Sequence, residues 1–174
     1  GDRVGAVIVD NQGQHLFRPH RSSRSVGRLL KQLADSNQTL NRNPNSLGND
    51  SQLAGLQQLQ RLKSNRFRIF VISDFAGDLT MWQDQLQQLA RRNQVDLIHV
   101  YDPLDAQLPP AGHYAVTDGT QRLQFFSGNR RLRKNYAQQF AHRCEVLQDI
   151  TRHPAMSYRN VATHDPSLPQ SLWN

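Results

Sequence analysis

Apolar and polar positions along the 174-residue chain fall into short runs that alternate between two periods. Residues 4–9 (Val-Gly-Ala-Val-Ile-Val) form a nearly continuous apolar run closed by Asp10, the pattern of a strand covered on both faces. Asn11, Gln12 and Gly13 supply turn chemistry, and residues 14–19 alternate weakly, as an edge strand does. Ser22 or Ser23 is placed to cap a helix whose stripe is Val26, Leu29, Leu30 and Leu33. Residues 35–50 are rich in Asn, Ser, Gly and Pro and predict the longest loop. A second helix follows from Asp50 or Ser51, with Leu53, Leu56, Leu59 and Leu62 inward.

The second half repeats the alternation. Residues 67–72 (Phe-Arg-Ile-Phe-Val-Ile) predict a buried strand ending in Ser73 and Asp74. A helix from about Asp78 to Arg92 presents Leu79, Trp82, Leu86 and Leu89 on one face. Residues 95–101 form another strand, stopped by Asp102 and Pro103. Residues 114–116 and 123–126 read as a hairpin about Thr117, Asp118, Gly119 and Thr120. A long helix from Asn129 to about His153 turns Leu132, Tyr136, Phe140, Val146, Leu147 and Ile150 inward, and residues 158–162 make a last short strand. Strands alternating with helices imply an α/β fold of three layers about a mostly parallel sheet. With no internal repeat and no low-complexity linker, residues 1–174 read as a single domain with a loosely ordered tail after about residue 163.

Composition narrows the function classes. No apolar run approaches the roughly 20 residues that span a bilayer. The single cysteine, Cys144, excludes an internal disulfide and a multi-cysteine zinc site, and its helical surroundings favour a buried, inert thiol. A net charge of +7 invites a nucleic-acid reading. The basic residues are nevertheless dispersed among Arg18, Arg21, Arg24 and Arg28, the pair Arg91 and Arg92, and the run Arg130, Arg131, Arg133 and Lys134. No aromatic residues interleave with them and no zinc-finger or helix-turn-helix spacing is present, so nucleic acid is not an expected partner. An acidic partner or an anionic membrane surface suits such basic faces as well as solvent does.

Candidate chemistry gathers at strand ends, because three apolar strands finish in a carboxylate: Asp10, Asp74 and Asp102. In open α/β sheets ligands sit beyond the carboxyl ends of the strands. Carboxylates there, with the hydroxyls of Ser73 and Thr39, are hard donors suited to Mg²⁺, Mn²⁺ or Ca²⁺. The competing explanation is structural, since Asp after a strand accepts hydrogen bonds from turn and helix N-terminal amides. A metal-dependent phosphohydrolase or nuclease would want more acids near these ends. A serine hydrolase would want a Gly-x-Ser-x-Gly elbow, which is absent, as are a phosphate loop and a dinucleotide fingerprint. His99, inside a strand, reads as a hydrogen-bonded core histidine.

Several segments carry a family resemblance. Gly1-Asp2-Arg3-Val4-Gly5 before an apolar strand resembles the opening of the second strand in domain-of-unknown-function family fifty-eight. Ile72-Ser73-Asp74-Phe75 resembles that family's strand end. Val100-Tyr101-Asp102-Pro103-Leu104-Asp105, then Leu108-Pro109 and Gly112, resembles its Asp-Pro-x-Glu-x-x-Leu-Pro segment, with Asp105 in place of the Glu. Thr117-Asp118-Gly119 and residues 130–136 continue the similarity, which runs to about Leu168. The family is similar to von Willebrand factor A domains, so the resemblance implies a Rossmann-like sheet of strand order 3-2-1-4-5-6. It also implies a divalent-metal site made by an Asp-x-Ser-x-Ser motif after strand one, a loop Thr and an Asp after strand four. Asp74 matches the last position and Thr39 the loop Thr, although Thr39 lacks the glycine context. The first motif falls upstream of Gly1.

The resemblance therefore implies a first strand missing from this chain, an incomplete metal site, and Mg²⁺ only in a longer protein. The strand would lie between those at residues 4–9 and 67–72, and its absence leaves edges that invite homodimerisation. The implied role is a protein-interaction module without catalysis of its own, accessory to a MoxR-type AAA+ ATPase in protein assembly or maturation. The loops about Asp10, Thr39, Ser73, Asp74 and Asp102 would meet that partner. The implied place is the cytoplasm, including the cytoplasmic part of a membrane-anchored protein. The alternative from another class is a metal-dependent phosphohydrolase or nuclease using the strand-end aspartates.

Overall fold

The computed structural model describes residues 2–10, 13–40, 49–62, 65–117 and 121–165. They divide into two compact units, one built from residues up to 62 and the other from residues 65 onward. Among the described residues no helix is long and apolar enough to cross a membrane.

The first unit is a hairpin covered by two helices. Strands β1 (Val4–Asp10) and β2 (Gly13–His20) pair antiparallel, with Ala6 opposite Phe17 and Asp10 opposite Gly13, and a bulge between Val4 and Ala6. Gly5 sits in that bulge, and a Cβ there would lie 2.7 Å from the Phe17 carbonyl oxygen. Helices α1 (Ser23–Leu40) and α2 (Asn49–Arg61) both contact the hairpin. The seam is close: Leu53 and Leu56 are buried, and a Cβ on Gly55 would fall 2.7 Å from Val9 Cγ2.

In the second unit β3 (Arg68–Ser73), β4 (Gln94–Tyr101) and β7 (Met156–Ala162) form a parallel sheet in the order β3-β4-β7. Val71 pairs with Leu97, and Leu97 with Tyr158. The central strand β4 buries Val95, Leu97, Ile98 and His99, which explains why its sequence is mostly apolar. Helix α3 (Thr80–Ala90) joins β3 to β4, with Trp82, Leu86 and Leu89 buried. The short α4 (Pro103–Ala106), the antiparallel hairpin β5 (His113–Thr117) and β6 (Arg122–Phe126), and α5 (Arg130–Ile150) separate β4 from β7. The buried Ser127 closes the hairpin base, donating to the Pro110 carbonyl at 2.6 Å and accepting from the Gly112 amide at 3.0 Å. Asn129 caps α5 by accepting from the amides of Arg131 and Leu132.

The α/β class and the parallel core agree with expectation, whereas the single mostly parallel sheet does not. Among the described residues the strands divide into one parallel sheet and two antiparallel hairpins. The predicted loop from residue 35 is also displaced, because α1 runs on to Leu40; residues 41–48 lie outside the described residues, as does the tail beyond residue 165. Leu30, Leu33 and Leu132, assigned to inward stripes, are exposed. On β3, Val71 is buried but Ile72 is 65% exposed, so this strand is covered on one face only.

Candidate functional site

The carboxyl ends of β3 and β4 lie side by side, because Ser73 pairs with His99 in parallel register. Each strand runs into a loop organised by its own aspartate. After β3, the Phe75 amide donates to Ser73 Oγ at 3.0 Å and the Ala76 amide to Asp74 Oδ1 at 3.2 Å, while Ser73 Oγ donates to Asp74 Oδ1 at 3.3 Å. Phe75 adopts a left-handed backbone (φ 47°), a conformation that costs a bulky residue energy unless its surroundings repay it. Here its ring is fully buried and meets Trp82 edge-on at 5.1 Å. The buried aromatic thus pins the loop and leaves the Asp74 side chain outside, exposed. Asp78, farther along, accepts from the Thr80 amide and hydroxyl at 2.9 and 2.7 Å, which holds its carboxyl below the ordinary value.

After β4, Asp102 caps α4 in a reciprocal box: its carboxylate accepts from the Leu104 amide at 2.8 Å, and Asp105 accepts from the Asp102 amide at 2.8 Å. Tyr136 on α5 donates to the Leu104 carbonyl at 2.9 Å and anchors the turn from behind. Asp102, Leu104 and Asp105 are all exposed.

Beneath both loops lies a buried polar network. His99 is 1% exposed, with Nδ1 3.1 Å from the Tyr158 hydroxyl, and its ring also bonds the Asp74 backbone. Burial, then the charge of Arg143, lowers the His99 pKa against the opposing pull of Asp74 and Asp105, so the ring is neutral. A neutral imidazole has one donor and one acceptor. Donation to the Asp74 carbonyl leaves Nδ1 to accept from Tyr158. Burial, followed by a hydrogen bond with Cys144, raises the Tyr158 pKa well above its usual value and keeps that hydroxyl protonated. Phe75 and Phe140 flank the His99 ring at 5.9 and 5.7 Å. The core role expected of His99 agrees with its burial; its connection to Asp74 has no signal in spacing, because it depends on strand register.

The remaining two candidates belong to the other unit. Asp10 is 4% exposed; Ser36 Oγ donates to its Oδ2 at 2.5 Å, and His15 Nε2 lies 3.2 Å from the same oxygen. Burial inside a hydrogen-bonded cluster removes Asp10 from the side chains a partner could touch. Thr39, expected in a loop, stands in the last turn of α1 and donates to the Ser36 carbonyl at 2.8 Å, the back-bonding common for a helical threonine.

Asp74 is the residue of this edge expected to hold a divalent metal. Such ions take six or more oxygen ligands, and no group of three or more His, Cys, Asp or Glu residues suited to a metal occurs among the described residues. Asp74 offers one carboxylate, already shared with Ser73 and the Ala76 amide.

The comparisons agree on a family and no further. A family model described as "Protein of unknown function DUF58" matches residues 1–146. The chain is 28% identical over 152 residues to "Uncharacterized protein Rv1480" of Mycobacterium tuberculosis, covering 86% of this chain and 46% of that protein. "Uncharacterized protein Mb1516" of Mycobacterium bovis matches with the same figures, 28% over 152 residues. "Uncharacterized protein MAV169" of Mycobacterium avium is 34% identical over 97 residues, 55% of this chain and 57% of that protein. The chain thus spans less than half the length of the first two relatives. No solved structure matches it.

Proposed function

The chain belongs to the DUF58 family, and we propose that in it the carboxyl-edge loops of β3 and β4 form a docking surface for a protein partner. One observation carries this reading: the exposed carboxylates of Asp74, Asp102 and Asp105 stand on loops whose backbones are fixed from below by Phe75, His99 and Tyr136. Rigid loops keep the ordering cost of association small. Exposed Leu104 beside Asp102 and Asp105 supplies apolar area among the charges, the mixture that a transient interface uses.

A von Willebrand factor A-like fold, which we propose from the sequence resemblance, would favour the same surface, since ligands of open parallel sheets approach from this edge. The partner we propose is an AAA+ ATPase of the MoxR type, with the chain accessory to it in protein assembly or maturation. Basic residues on that partner would complement the three carboxylates. The test is co-purification of the longer natural protein with its cognate ATPase, in the native form and as Asp74→Ala. Retention of the ATPase by the native protein and its loss in the variant are expected. Failure of both to associate would defeat the partnership, and undiminished association in the variant would remove this surface from it.

A further inference from the structure

At the opposite end of the same sheet, where β3 and β4 begin, lies an open cleft of about 420 Å³ lined by Arg66, Phe67, Arg68, Arg91, Arg92 and Asn93 among others. Four guanidinium-bearing residues surround it. Arg68 is held in place, donating from Nε to Asp96 at 2.8 Å and lying over the Phe70 ring at 5.0 Å. Arg66, Arg91 and Arg92 are exposed and make no side-chain ion pair or hydrogen bond among the described residues.

The cleft walls are fixed by the backbone. Arg66 adopts a left-handed conformation (φ 66°) and donates its amide to the Arg92 carbonyl at 2.8 Å. The Phe67 amide donates to Asn93 Oδ1 at 3.0 Å, while Asn93 Nδ2 donates to the Leu89 carbonyl at 3.0 Å. The Gln94 amide closes the set on the Phe67 carbonyl at 2.9 Å. These bonds hold the segment carrying Arg66 and Arg68 against the one carrying Arg91 and Arg92. The end of α3 accounts for Arg91 and Arg92 alone, since cations suit a helix C-terminus. It does not account for Arg66 or Arg68 lining the same cleft.

We infer that this cleft binds a soluble small molecule through a phosphoryl group, with an oligophosphate such as diphosphate as the minimal ligand. Its volume falls in the range of small-ligand sites, roughly 300–1,000 Å³. Planar guanidinium groups grip phosphate oxygens in pairs, and several of them match an anion bearing more than one phosphoryl group. This site lies at the edge away from Asp74 and Asp102 and does not depend on the docking reading.

Diphosphate titrated into the 174-residue chain at low ionic strength tests the inference, read by calorimetry and by amide shifts in nitrogen-15 NMR. Saturable binding with shifts centred on Phe67, Asn93 and Gln94 is expected. In Arg91→Gln/Arg92→Gln, affinity should fall about tenfold or more, the size of losing charge-assisted bonds. Arg66→Asn, which tolerates the left-handed backbone, should weaken binding in the same direction. Arg130→Gln/Arg131→Gln, altering two exposed charges on α5, should leave it within about twofold. Absent binding, or equal loss in that control, would overturn the inference. So would tighter binding of a single-stranded oligonucleotide, or of vesicles containing phosphatidylglycerol, through the same amides.

Discussion

A buried polar side chain costs stability unless its partners are present, so the buried residues Asp10, Ser36 and His99 make the sharpest residue-scale predictions. Ser36→Ala removes the 2.5 Å donor to the buried Asp10. It should lower unfolding free energy by about 1–3 kcal/mol in urea titrations; a loss below a few tenths would mean that water replaces the hydroxyl. His99 carries a pH signature. Its folded pKa lies below the ordinary imidazole value of 6.5, so the unfolded chain binds a proton more readily. Stability contributed by the neutral ring is complete above about pH 6.5 and is lost as pH falls toward the lowered folded value. The urea midpoint should therefore drop between about pH 7.5 and 5.5, and His99→Gln should flatten that slope. An unchanged slope in the variant would assign the titration to the other histidines. Asp96 works in the opposite range. Burial raises its pKa, but hydrogen bonds from Arg68 and Ser157 outweigh burial and leave it lowered. Its contribution is present above the ordinary carboxylate value and disappears only as pH falls through the lowered one.

At the scale of elements, packing overrides propensity where helix and hairpin meet. Alanine is a better helix former than glycine by about 1 kcal/mol, which alone would make Gly55→Ala stabilising. The substituted Cβ would stand 2.7 Å from Val9 Cγ2, and valine is stiff at χ1. Overpacking of this kind costs about 1–3 kcal/mol, so the variant should melt at lower temperature; a rise in Tm would show that α2 can shift off β1. The elements themselves were largely legible because period and burial coincide. Residues 95–101 are mostly apolar because β4 has a strand on either side, and Asn129 marks the start of α5 because its side chain satisfies two free amides. The misreadings have equally local causes. Residues 35–40 looked loop-like from their Asp, Ser, Asn and Thr content, yet Ser36 is held in the helix by Asp10, twenty-six residues earlier. Ile72 looked buried because hydrophobicity cannot tell an edge strand from a central one.

For the molecule as a whole, the candidate site was legible in type but not in arrangement. Asp74 and Asp102 stand at adjacent strand ends as the alternation implied, while Asp10, likewise at the end of an apolar run, is a buried acceptor. Its partners Ser36 and His15 help to distinguish it, and they are long-range in sequence or depend on hairpin register. The arginine cleft was invisible because Arg66 and Arg68 approach Arg91 and Arg92 only through the parallel pairing of β3 with β4. The same pairing leaves β3 laddered to β4 alone among the described residues, with Ile72 exposed beside the open edge. Open edges recruit further strands, whereas the charge of +7 on each chain opposes association. Salt decides between them. Repulsion between distant surface charges is screened beyond about 8 Å at physiological ionic strength, while backbone ladders and apolar contact are barely affected. Self-association should therefore strengthen as salt rises, opposite to diphosphate binding at the cleft. Light scattering at tens of micromolar protein should show mass moving from 19.9 kDa toward twice that value as salt increases, and Ile72→Lys should hold the chain at the lower mass. A monomer at every salt concentration would show that β3 is already protected at its free edge.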